Sequence, residues 1–118
     1  MAAISEAMTI SARLGIDDET FLDVLRHGSA GGYMLERKVP MLLEPSTPPA
    51  FPIRLGHKDL RLALDLCEQQ GLPSFVAGQV EQLFRLAERR GLEDHDVAHL
   101  ATLLRELADP PAATEGLL

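Results

Sequence analysis

Apolar residues recur at helical spacing along most of the chain, interrupted by short polar, Gly or Pro stretches. Ala3, Ala7, Ile10 and Leu14 form one stripe, and Ile4, Met8 and Ala12 form a second beside it. Met1–Leu14 is therefore predicted as a helix apolar on most of its faces, which normally means a buried one. No Ser, Thr, Asp or Asn precedes it as an N-cap, so the chain reads as if it enters a helix already under way. Gly15 ends this helix, and Asp17-Asp18-Glu19 open the next with acidic first-turn residues. Phe21, Leu22, Val24 and Leu25 form the apolar side of that helix, and His27-Gly28-Ser29 stops it. A third helix is predicted from Gly31-Gly32-Tyr33-Met34-Leu35 to about Leu43. Residues 44–52 hold four of the eight prolines and form a loop.

The stretch Phe51–Gly71 is predicted as a helix with an apolar arc wide enough for a central place in a bundle. At about 100° per residue, Lys58, Arg61, Asp65, Glu68 and Gln69 share one polar sector. Leu60, Ala63, Leu64, Leu66 and Cys67 fill most of the rest, and Asp59 falls among them. A carboxylate there is costly unless something neutralises it, which makes Lys58–Asp59 the first candidate for chemistry. The competing reading is ordinary: a first-turn Asp complements free helix N–H groups. Gly71 closes the helix, and Leu72-Pro73-Ser74 connects to the next, with Ser74 as N-cap. That helix runs to about Arg90, with Val76, Val80, Leu83, Phe84 and Ala87 on one face and Glu81–Arg85 as a surface pair. After Gly91, Asp94 is expected to cap a last helix with the stripe Val97, Leu100, Ala101, Leu104 and Leu107. The reading is all-α: one bundle of about six helices over residues 1–108, with 109–118 a disordered tail.

Composition narrows the possibilities. Aromatics are scarce, so the core is mostly Leu, Ala, Val, Ile and Met, which suits packed helices better than a β-sandwich. A net charge of −7 argues against a nucleic-acid partner. Cys67 is alone, so no internal disulfide forms, in keeping with a reducing compartment. No secretory signal and no long apolar run suggest a membrane, and the expected location is the cytoplasm. His95 and His99 are four residues apart, as in helical zinc sites, but Asp96 stands where a zinc protease carries Glu and no third ligand is near. Exposed first-turn polar residues explain that string, and no metal is expected. Cys67 reads as a buried, inert thiol, and His27 and His57 lack triad partners at recognisable spacing. Gly28, Gly31 and Gly32 follow a helix, not a strand, so they are no dinucleotide fingerprint.

Phe51, then Lys58-Asp59-Leu60, Leu62-Ala63-Leu64, Gly71 and Pro73, resemble the C-terminal helical domain of the β-hydroxyacid dehydrogenases. This is the family of 3-hydroxyisobutyrate dehydrogenase and tartronate semialdehyde (glyoxylate) reductase. Gly15-Ile16-Asp17, Gly28-Ser29 and Gly91-Leu92-Glu93-Asp94-His95-Asp96 extend the similarity over most of the chain. The resemblance implies a fold like the C-terminal domain of 6-phosphogluconate dehydrogenase. It also implies NAD(P)-dependent, reversible oxidation of a small 3-hydroxy acid to its semialdehyde. Lys58 would contact the cofactor, NAD or NADP, Asp59 would support the active site, and Phe51 would approach it, although Phe51 reads equally well as a core anchor. Family members carry an N-terminal Rossmann domain and a catalytic Lys in a Lys-x-x-Asn motif ahead of the segment matching Met1–Leu14. Here no Lys precedes Lys38. The expectation is thus a C-terminal domain from a truncated longer protein, without a catalytic residue of its own and inactive alone. It would close the cleft over a cofactor bound mainly by the other domain, and form a homodimer. The alternative is a non-catalytic helical interaction module that docks through its apolar N-terminal helix.

Overall fold

The computed structural model describes residues 1–109. Six α-helices follow one another: α1 (Ala2–Arg13), α2 (Asp18–His27), α3 (Tyr33–Leu43), α4 (Ile53–Gln69), α5 (Phe75–Arg89) and α6 (Leu100–Ala108). A 3-10 turn, Val97–His99, leads directly into α6. The fold is all-α as predicted; among the described residues the β-type pairing is one isolated bridge between Pro52 and Asp96. The predicted tail, apart from Asp109, lies outside the described residues.

Two apolar clusters make the core, and the 3-10 turn with α6 belongs to both. Met8, Leu22, Leu35, Leu42, Ala98 and Ala101 join α1, α2 and α3 to one side of that element. Ile53, Phe84, Ala87, Val97, Leu100 and Leu103 join α4 and α5 to the other. Burial on two sides explains why α6 reads as nearly continuous apolar sequence. No helix of the described residues is long and apolar enough to cross a membrane.

Four local predictions need correction. First, α1 is not buried all round: Ser5, Met8 and Ser11 face inward, whereas Ile10 and Leu14 stay exposed. α1 packs mainly on α6, and small serines permit that approach; Ser11 Oγ satisfies itself by donating to the Met8 carbonyl (3.0 Å). Second, α4 is not central. It packs chiefly along α5 as an antiparallel hairpin, and its only buried residues are Ile53 and His57, near its N-terminus. Leu62 and Leu66 are 60% and 57% exposed. Third, Asp96, not Asp94, caps the final element: its carboxylate accepts from Ala98 N–H (2.9 Å), whereas Asp94 pairs with Arg54. Fourth, Glu81 does pair with Arg85 (2.8 Å) but not at the surface: its carboxylate is buried against α4. Ser74 holds the N-cap position of α5 without a side-chain cap bond, and Asp17 caps α2 by accepting from Thr20 N–H. Gly71 and Gly91 end α4 and α5 at φ +65° and +75°, values that favour a residue without Cβ.

Candidate functional site

The loop before α4 ends in a strap. Ile53 N–H donates to the His95 carbonyl (2.8 Å), Arg54 N–H to that of Glu93 (2.9 Å), and Val97 N–H to that of Phe51 (3.0 Å). Asp96 secures the strap from inside. Its carboxylate accepts from the N–H groups of Ala50 and Phe51, each at 2.9 Å. Lys38 of α3 closes the shell at 2.7 and 2.8 Å, and both side chains are almost fully buried. Burial pushes the Asp96 carboxyl up, but the Lys38 ammonium and the three backbone donors outweigh it and hold the group below the usual range. Phe51 is thus held by its backbone on both sides. Its side chain is partly buried and packs against the second core cluster.

The Phe51 ring lines an open groove of about 410 Å³, with Met34, Leu60, Ala63, Val80, Phe84 and Val97 as apolar walls and the N-terminal residues Met1 and Ala2 at one side. Asp59 places a carboxylate in this lining. It does not sit in an apolar interior, as its place in the helical arc suggested: its side chain is 58% exposed and lies 2.9 Å from Lys58 Nζ, itself 60% exposed. Lys58 lines a neighbouring groove of about 420 Å³ with Arg54, His57, Arg61, Leu62, Asp65 and Glu88. The pair therefore forms the ridge between an apolar groove and a charged one. Phe51 and Asp59 meet in the first; Lys58 faces the second.

His57, one residue before the pair, is buried. Its Nε2 lies 2.9 Å from Glu81 Oε1 and its Nδ1 2.9 Å from Glu88 Oε2. Glu81 also accepts from Arg85 (2.8 Å) and Gln82 (3.0 Å), and the His57 contact, followed by Arg85, holds its carboxyl below the usual range. Gly56 packs against the Phe84 ring so closely that a Cβ there would lie 2.7 Å from it. His57, Glu81, Lys38 and Asp96 carry this architecture, and sequence reasoning assigned none of them these roles. The sequence placed Asp94 and Asp96 only in the run that opens the final helix.

His95 and His99 do come together, with ring centroids 4.4 Å apart. Burial, then the neighbouring His95, lower the His99 pKa. The described residues contain no group of three His, Cys, Asp or Glu that could hold a metal ion. Cys67 is half-buried on α4.

Residues 1–104 match a family model described as NAD-binding of NADP-dependent 3-hydroxyisobutyrate dehydrogenase. Glyoxylate/succinic semialdehyde reductase 1 of Arabidopsis thaliana is 35% identical over 96 residues, covering 81% of this chain and 33% of that protein. The chloroplastic reductase 2 of the same plant is 30% identical over 105 residues, covering 89% and 29%. The crystal structure of 3-hydroxyisobutyrate dehydrogenase from Salmonella typhimurium superposes with a TM-score of 0.80 at 25% identity, covering 86% of this chain and 36% of that one. The chain thus spans about a third of the length of these relatives.

Proposed function

We propose, from the premise that this chain belongs to the 3-hydroxyisobutyrate dehydrogenase family of NAD(P)-dependent enzymes, that it forms one wall of a cofactor and substrate cleft. The observation that supports this reading is the convergence of Phe51, Asp59 and Lys58 on one edge of the molecule, beside an apolar groove. An apolar floor with one carboxylate in its lining, and an ammonium on the far side of the adjoining ridge, suits the nicotinamide end of a dinucleotide. The diphosphate is another matter. It calls for free backbone N–H groups at a helix N-terminus, and the N–H groups of Ile53 and Arg54 at the start of α4 are already bonded to carbonyls. In this reading the diphosphate is held by a separate nucleotide-binding domain, and this chain meets only the reacting end.

A nicotinamide cofactor, when bound, supplies the hydride acceptor for a 3-hydroxy acid or the donor for its semialdehyde. The part of this chain is to bind and to exclude water. Lys58 donates hydrogen bonds toward the cofactor, the Asp59 carboxylate 2.9 Å away holds the Lys58 amine in place, and the Phe51 ring shields the apolar floor. In this reading the general acid belongs to the nucleotide-binding domain and not to residues 1–109.

The same reading includes association. Leu62, Leu66, Leu72, Phe75 and Val76, at the free end of the α4–α5 hairpin, are all more than half exposed, which supports a homodimer contact there. A purely structural interaction module is the competing account. The two separate on titration of NADH and NADPH into the purified chain, followed by nicotinamide fluorescence, with molar mass from light scattering. Saturable binding lost in Lys58→Ala supports the cleft wall. A dimer that binds neither nucleotide supports the module.

A further inference from the structure

α4 packs along α5 but is most deeply buried at its N-terminal end, at Ile53 and His57. Past His57 its residues are at most partly buried, with Leu60 against the second core cluster, so the closest contacts that set its rotation act in its first two turns. Two of them are with α5. On the apolar side, Gly56 lets the Phe84 ring approach where any Cβ would collide. On the polar side, His57 inserts between Glu81 and Glu88, both at 2.9 Å. These carboxylates are seven residues apart, two turns on one face of α5, so the ring is gripped along the α5 axis from both directions. A neutral imidazole carries one N–H and can donate to only one of them; the doubly protonated ring donates to both.

We propose that His57 is the positioning residue for the Lys58–Asp59 pair: clasped by Glu81 and Glu88, it fixes the rotation of α4 so that Asp59 enters the apolar groove while Lys58 faces the charged one. Each residue along an α-helix turns about 100°, so a modest rotation of α4 moves the carboxylate and the ammonium out of their grooves together. The other charged groups around the clasp are already engaged or point outward. On α5, Arg85 bonds Glu81. On α4, Arg54 bonds Asp94 of the segment before the 3-10 turn, Lys58 bonds Asp59, and Arg61 and Asp65 lie exposed along the charged groove. His57 is the group that ties the two helices through both of its ring nitrogens.

This inference rests on the reading of Lys58 as a cofactor contact, so its test carries a readout that does not need cofactor. In the full chain, lysines are reductively ¹³C-methylated and the Lys58 methyl resonance is assigned by its loss in Lys58→Ala; NADH affinity is followed by nicotinamide fluorescence. His57→Leu, which keeps bulk but no donor, should retain a cooperative melt, shift the Lys58 resonance and weaken NADH by about tenfold or more. His57→Gln, able to donate to one carboxylate, should recover part of both. Glu88→Gln removes one jaw at the partly exposed edge and should shift the resonance the same way; it decides the matter if His57→Leu does not fold. A Lys58 resonance unchanged in Glu88→Gln, and in His57→Leu where it folds, overturns the proposal, even if the melting temperature falls. If wild-type chain binds no NADH, the cleft reading fails on its own and the resonance still judges His57.

Discussion

The two carboxylate oxygens of Asp96 lie 2.8 and 2.7 Å from the ammonium nitrogen of Lys38, 58 residues earlier in the chain. The same oxygens accept from Ala98, Ala50 and Phe51 N–H groups, so one side chain caps the final element and sets the backbone of Phe51. Removing one partner strands the other in the interior. Asp96→Ala and Lys38→Met should each destabilise the fold by about 3–5 kcal/mol, read as a fall in urea midpoint at neutral pH. A loss below 1 kcal/mol in both would mean that the strap stands without the ion pair.

Acid should attack the same joint. Asp96 and Glu81 both have folded pKa values below their ordinary ones. A depressed carboxyl contributes stability that is fully present above its unfolded value and is lost as pH falls through its folded value. Urea midpoints should therefore hold steady near neutrality and drop progressively from about pH 5 downward, where unfolded carboxyls begin to protonate. The slope should be shallower in Asp96→Asn, which has no carboxyl to titrate there.

Gly56→Ala sets helix propensity against packing. An exposed helical Gly gains up to about 1 kcal/mol on change to Ala. Here the new methyl would fall 2.7 Å from the Phe84 ring and 3.2 Å from Val97. The second effect should win, with a net loss of about 1–2 kcal/mol. Combining it with Phe84→Leu should recover part of that loss, and a stabilised Gly56→Ala would show that the ring moves aside freely.

Lys58→Ala separates site from scaffold. Lys58 and Asp59 are both more than half exposed, and pairs of that kind contribute at most about 1 kcal/mol. The melting temperature should barely move while nicotinamide-nucleotide affinity falls. Parallel loss of both would make Lys58 structural.

Association should respond to the free end of the hairpin. Phe75 and Val76 are 84% and 79% exposed, so charging them costs the monomer little. Phe75→Asp with Leu66→Asp should lower the molar mass seen by light scattering and leave the circular dichroism spectrum unchanged. A mass equal to wild type would move the proposed contact elsewhere.

How much of this was legible in the residues depends on the distance over which each relationship acts. The six helices were, because their periodicity and their stops at Gly15, Gly71 and Gly91 are local. The Lys58–Asp59 pair was noticed because Asp59 falls within the apolar arc one step from Lys58, although that arc misjudged its exposure: an apolar arc shows that α4 wants cover, not whether this chain supplies it. Glu81 looked like half of a surface pair because Arg85 stands one turn on, and nothing in that spacing reveals His57 across the helix interface. The Lys38–Asp96 tie and the strap join residues 39 to 58 positions apart, and no spacing rule spans such separations.

The strap also has a consequence for the order in which the molecule is made. Each helix can begin from neighbouring residues, but tying Ala50–Arg54 to Glu93–Val97 closes a loop of some 45 residues, at an entropic cost of about 3 kcal/mol plus a constant. That closure is repaid only when Asp96 finds Lys38 on a third element. Helical content should therefore rise early in refolding, while the Phe51 wall takes shape in the last cooperative step. A half-folded chain would have its helices and no groove, and so would offer nothing for a nucleotide to select.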